Sequence, residues 1–301
     1  PSVSSAASDV YKRQANNVAV GYVAMRTNTT GTQNVAVGRN ALNANTTANN
    51  NVAVGYDALL SNTTGASNTC IGSDAGQAIT TGNSNTVVGS QAYIEGTGTE
   101  NTCMGAYAGY NLTSANYSTA IGFQALYTED TVGQLVAVGR HALYSNNGGT
   151  ENTALGFSAL YTNTTGTSNT AAGYSALVLN TTGNSNTAFG RDALYYNVTG
   201  SWNTAFGAEA LEHNTANYNT AVGRQALYLN TTGSRLVATG NRALYNNTTG
   251  DYNHAFGDHA LGSNTTGANN VAMGFEALYA NTTASNNTAV GHQAAKSITT
   301  G

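Results

Sequence analysis

Large apolar, small and polar positions recur along this chain with a period of seventeen, as from Gly21 to Gly38 and from Gly38 to Gly55. In Asn152 to Gly166, N-T-A-L-G-F-S-A-L-Y-T-N-T-T-G, Leu155 precedes Gly156, and Ala159 and Leu160 follow it three and four residues later. The same glycine returns seventeen times, from Gly21 to Gly291, with two steps one residue shorter (Gly89 to Gly105, Gly207 to Gly223). A short unit repeated this way marks a solenoid, in which each copy buries its apolar face against its neighbours.

Within the unit, N-T-A-V-G alternates with period two and predicts a strand. The residue before the glycine is large and apolar, as at Val54, Ile71, Met104, Leu155, Phe189, Phe206 and Phe256. Together with the leucine four after the glycine it is expected to form the core. The small residue between the strand's two larger ones points the other way. That column stays small, as at Ala53, Ala137, Ala188 and Ala272, and a parallel homo-oligomer is expected to place it near its chain contacts. The competing reading is that the other half of the coil covers it within one chain. Alanine three after the glycine occurs in all seventeen units and leucine follows in twelve. That pair is compatible with one short helical turn per coil. The unit closes on N-T-T-G, where Asn opens a β-turn and Gly supplies positive φ. Stacking aligns these asparagines, and those before each strand (Asn152, Asn169, Asn186, Asn203), into amide ladders. The expected fold is all-β: a parallel, β-roll-like solenoid of about 17 coils, in register, about 80 Å long at sheet spacing.

Residues 1–14 do not fit the repeat and lack the basic start and apolar stretch of a signal peptide. They are read as a linker or extraneous leader. Residues 15–301 form one repeat region that starts abruptly and stops part-way through a unit, without polar capping units. A segment of a longer protein, truncated at both ends, is expected.

Only 8% of residues are charged and the net charge is −4, which excludes the dense basic surface of a nucleic-acid binder. No apolar run approaches the eighteen residues of a membrane-spanning helix, so no membrane insertion is expected in this segment. The single proline, Pro1, stands outside the repeat, as suits backbone N–H groups committed to ladders. Cys70 and Cys103 take the small position two repeats apart. At sheet spacing that separation is about 10 Å, too far for a disulfide.

The units N-V-A-V-G and N-T-A-I-G, each followed by x-x-A, resemble the head-domain repeats of trimeric autotransporter adhesins. They are also similar to the repeat shafts of bacteriophage tail-fibre proteins. The resemblance covers residues 15–301. It implies a left-handed parallel β-roll, three chains together, an extracellular place on a cell surface or virion, and attachment to a host-surface glycan or receptor. The unit here is longer than the adhesin head's, with the extra residues in the turn half, which leaves cross-section and handedness open. The expected function is a structural and adhesive segment of an extracellular fibre. The alternative is an ice-binding or glycan-coated structural filament.

Catalytic chemistry finds little support. His141, His213, His254, His259 and His292 are spread over several repeat positions, and no H-E-x-x-H or phosphate-binding glycine loop occurs. No enzyme activity, cofactor or metal is expected. Asp57 and Asp74 share a column, as do Asp192 and Glu209. Carboxylates about 5 Å apart suit Ca²⁺, but further oxygen ligands are not evident, so these are read as solvated charges. Tyrosine stands five after the glycine in eight units, seven of them behind a leucine. Tyr127, Tyr144, Tyr161, Tyr195, Tyr228 and Tyr245 are candidates for stacking on glycan rings, against the plainer reading of half-buried packing. The sequon asparagines Asn28, Asn45, Asn62, Asn163, Asn180, Asn230, Asn264 and Asn281 are candidate N-glycosylation sites, although the turn's need for Asn explains them too. Ice binding needs threonines on one side of a strand. Adjacent threonines such as Thr181 and Thr182 point to opposite faces and sit in a turn.

Overall fold

The computed structural model describes residues 16–128 and 133–299, so the leader at 1–14 lies outside the described residues. The chain divides into two compact units, Pro1–Thr150 and Glu151–Gly301, built from the same coil. Each repeat contributes one three-residue strand. They run from β1 (Val18–Val20) to β8 (Val136–Val138) in the first unit and from β9 (Thr153–Leu155) to β17 (Thr288–Val290) in the second. Neighbours within each unit pair parallel and in register, Val35 with Val52 and Thr187 with Thr204. The shortened step keeps the register, Thr204 with Thr220. The missing residue comes out of the N-T-T-G turn, where Thr215 alone separates Asn214 from Ala216. The fold is a parallel β-solenoid, all-β as the period predicts.

Which strand face is the core differs from expectation. Leu160, four after its glycine, is fully buried, whereas Leu155 before the glycine is 40% exposed. Val20, Ile71, Met104, Phe189, Phe206 and Phe256 are exposed in the same way, and the alanine column faces inward. The cause is room. So short a coil encloses a narrow interior that the leucine and two buried asparagines nearly fill, leaving an alanine's space opposite. The other half of the coil therefore covers the alanine column within a single chain. Ala137, Ala154 and Ala188 are buried and not available to another chain.

Variant coils show how tightly this interior is matched. Where the leucine gives way to Gly76 or Gly109, the strand alanine becomes Cys70 or Cys103, and the turn asparagine becomes Ile79 or Leu112. A Cβ on Gly76 would lie 2.6 Å from Cys70 Sγ and 2.9 Å from Ile79 Cδ1, so the larger neighbours occupy the missing leucine's volume. Tyr93 replaces the leucine in another coil, and the turn position is then Gly96, whose Cβ would meet the Tyr93 ring at 2.2 Å.

No helix occurs among the described residues. The Ala–Leu pair starts no helical turn because φ alternates in sign: in one coil Asp57 has φ +52° and Leu59 +51°. The flips aim successive amides at different neighbours. Asp57 N–H donates to Arg39 O (3.0 Å) and Leu59 N–H to Ala75 O (3.0 Å), so the turn is hydrogen-bonded coil to coil like the strand. The glycine of N-T-T-G has a different reason from the one expected. Gly65 and Gly166 are not in the positive-φ region; a Cβ on Gly65 would lie 2.3 Å from the carbonyl oxygen of Gly82. Close approach selects it.

Candidate binding surface

Both asparagine columns turn inward. Before the strand, Asn51 donates from Nδ2 to Gly65 O (2.8 Å), closing the coil on itself, and accepts at Oδ1 from the Asn68 backbone N–H (2.9 Å). In the turn, Asn180 donates to Asn163 Oδ1 (2.8 Å) and Gly183 O (3.1 Å), and accepts from Asn197 (3.2 Å). The ladder is broken where a coil lacks the asparagine. Asn62 Oδ1 and Asn281 Oδ1 are buried without a partner because Ile79 and Ile298 stand at the next rungs.

All eight sequon asparagines, Asn28, Asn45, Asn62, Asn163, Asn180, Asn230, Asn264 and Asn281, belong to this buried turn ladder. A glycan needs the same Nδ2 that the ladder uses, and the interior has no room for one. The folded coil therefore does not present them for glycosylation. The first threonine of the turn is also engaged: Thr164 and Thr181 donate to the carbonyls of Thr181 (3.0 Å) and Val198 (3.1 Å).

The tyrosine column after the leucine is stacked in part. Tyr127 lies parallel to Tyr144 with centroids 5.1 Å apart and to Tyr110 at 5.1 Å; Tyr228 lies on Tyr245 at 5.2 Å. Tyr195 packs edge-on against Tyr196 at 4.7 Å, and Tyr161 is half-buried like the others. Both Tyr127 faces are covered by neighbouring rings, leaving edges and hydroxyls for solvent. That geometry suits packing between coils better than stacking on a sugar.

The paired carboxylates find protein donors. Asp57 accepts from Asn40 (2.8 Å), Asp74 from Ser73 (2.9 Å), and Glu209 from Gln225 (2.6 Å) and Arg191. Burial raises the Asp192 carboxyl above its ordinary range, which Arg191 partly opposes. Among the described residues no group of three or more His, Cys, Asp or Glu is placed to hold a metal. Burial also pushes the Cys103 thiol up to about 12, and both cysteines are free. No helix of the described residues is long and apolar enough to cross a membrane.

The outer side of the strands and the residues beside them face solvent, as does the second threonine of turns such as those of Thr64, Thr165 and Thr182. No protein-family model, curated protein or solved structure matches this chain. The chemistry of its surface follows from its own geometry. The residue before the glycine gives an apolar column, in which Phe189 and Phe206 stack with centroids 5.5 Å apart. Three residues before the glycine stands Thr in ten strands and Val in six.

Sequence reasoning missed a third column, five before the glycine. There Trp202 lies on Tyr218 (5.0 Å, 2° between planes), and the Arg235 guanidinium sits 5.6 Å from Tyr218 and 5.4 Å from Tyr252. A comparable sandwich, one residue after the glycine, puts Arg39 6.0 Å from Tyr22 and 5.5 Å from Tyr56. The available signal was aromatic and arginine side chains recurring at the repeat spacing, as in Trp202, Tyr218, Arg235 and Tyr252.

Proposed function

We propose that this chain is a structural and adhesive segment of an extracellular fibre, on a bacterial surface or a virion, assembled as a parallel homo-oligomer of three chains. One observation carries the reading: the outward strand column is large and apolar in all coils but those of Ala172 and Thr239, with Ile71 and Met104 in the first unit and Leu155, Phe189 and Phe206 in the second. Scattered apolar side chains need no explanation, but a contiguous column marks a surface that meets something. A second copy set parallel and in register presents the same column at the same spacing. The resemblance to adhesin heads and tail-fibre shafts supports three chains and an extracellular setting. The alanine column, enclosed within each chain, has no part in the contact.

Sedimentation and native mass test the assembly, comparing the chain with a Leu155→Glu/Phe189→Glu variant. The expected result is an oligomer for the first and a folded monomer, with its circular dichroism retained, for the second. A parent chain that stays monomeric at high concentration ends this reading.

A second reading, ice binding, has its own support in the outward threonines and valines, an in-register array of methyl and hydroxyl groups at strand spacing. Thermal hysteresis separates the two, since the fibre reading expects none. The glycan-coated filament loses its support, because the sequon amides are spent inside the coil.

A further inference from the structure

Five before the glycine, Trp202, Tyr218, Arg235 and Tyr252 form a continuous stack, and Trp202 is its first member. Tyr218 has Trp202 on one side and Arg235 on the other, and Arg235 lies between Tyr218 and Tyr252. Trp202 has Tyr218 on one face only. The two rings are parallel and about one coil apart, so the second indole face looks along the stack toward the coil before it. Trp202 is 54% exposed although one face is covered, so the uncovered face accounts for much of that exposure.

The two coils on that side carry small residues in the same column, Ser185 and then Ser168, both exposed, and Glu151 beyond them. Ser168 Oγ donates to Glu151 Oε2 (2.9 Å). The residue before the glycine is small in Ser168's coil, Ala172, and large in Ser185's coil, where Phe189 pairs in register with it. The result is a notch two coils wide. Trp202 forms one wall, Glu151 the other, and serine hydroxyls the floor. At strand spacing the walls stand about 14 Å apart, which admits a six-membered ring lying flat on the indole with its hydroxyls toward the floor.

We infer that this notch binds a neutral pyranose of a surface glycan. A sugar ring has an apolar face of C–H groups that packs on an aromatic plane and a rim of hydroxyls that needs donors and acceptors. The notch supplies both: the indole face, the Ser185 and Ser168 hydroxyls and the Glu151 carboxylate. The indole N–H has no partner among the described residues and is free to donate. The one charge on this side is acidic, which selects against sulfated or uronic sugars. The inference gives a place to the glycan contact in the proposed function and rests on that reading for its biological setting only.

Trp202 is the sole tryptophan, so its fluorescence reports on this site alone. The probes are methyl β-galactopyranoside, methyl β-glucopyranoside, N-acetylglucosamine and, as an acidic control, chondroitin sulfate. At least one neutral probe is expected to shift or quench the emission saturably, and chondroitin sulfate to leave it unchanged. Ser185→Tyr fills the notch with a ring. The column already accepts aromatic residues at the same positive φ, as at Tyr218 and Tyr252, so the fold is expected to persist. In this variant the sugar response is expected to fall at least tenfold, with circular dichroism and melting temperature retained. Should Ser185→Tyr fail to fold, Ser185→Leu and Ser168→Leu provide the same obstruction with smaller groups. No saturable response to any neutral probe, a response preserved in every filled variant, or a response confined to chondroitin sulfate would each overturn the inference. A chain that binds sugar yet sediments as a monomer sinks the fibre assembly alone. One that assembles without a sugar response sinks this site alone.

Discussion

A Cβ built on Gly156 would lie 2.4 Å from the carbonyl oxygen of Gly173, the same residue one coil further on. Gly156 also has φ +134°, outside the range comfortable for side-chain-bearing residues. Two penalties therefore coincide, and Gly156→Ala is expected to cost about 2–4 kcal/mol. Gly166→Ala should cost less, about 1 kcal/mol, because its φ is not positive and Ala48, Ala115, Ala216 and Ala284 already occupy the equivalent place. Denaturant titration of both variants checks the ranking. Equal losses would contradict the account.

Leu160 and Leu155 separate the core from the outer face. Leu160→Ala empties a fully buried site and is expected to cost about 2–5 kcal/mol. Leu155→Ser, on a side chain 40% exposed, should change the melting point of the monomeric chain little. A large loss for Leu155→Ser in a monomer would mean the outward face is misassigned.

The coil of Cys70, Gly76 and Ile79 offers a test of compensation. Gly76→Leu alone collides with Cys70 and Ile79 and is expected to destabilise by about 1–3 kcal/mol. The triple change Cys70→Ala/Gly76→Leu/Ile79→Asn restores the common coil and gives Asn62 Oδ1 the partner it lacks. Its stability should match or exceed that of the parent, with a coupling far from additive. Additive losses in a mutant cycle would remove the claim that these side chains share one volume.

Asn180→Asp tests the amide ladder. The new carboxylate would face Asn163 Oδ1 and Gly183 O, both acceptors, so burial and repulsion raise its folded pKa above the unfolded value of about 3.9. A raised folded pKa means the deficit is smallest below that unfolded value, where the protonated acid can still donate. The deficit grows as pH rises through the folded pKa. Melting temperature against pH should therefore fall relative to the parent between acid and neutral. A parallel pair of curves would place Asn180 outside the ladder.

Residues one repeat apart fall in the same environment, and that alone determined coil number, parallel pairing and register. A chain that repeats its side chains must repeat its contacts, so the stacked asparagines were legible too. The periodicity did not decide which strand face turns inward. Alternation separates Ala154 from Leu155 but carries no sign, and size alone favoured the leucine for the core. Tertiary structure reversed this because the narrow coil, with Leu160 and two asparagines inside, has space opposite for an alanine. The same limit explains the turn. Alanine and leucine in sequence fit a helix locally, yet Leu160 takes φ +52° because its N–H must reach Ala176 O in the next coil, 3.0 Å away. The Trp202 notch lies further still from the repeat, since it depends on two serines in neighbouring coils that carry no signal alone. Local pattern sets what repeats; the room left inside each turn and the neighbours stacked on it decide which way each side chain points.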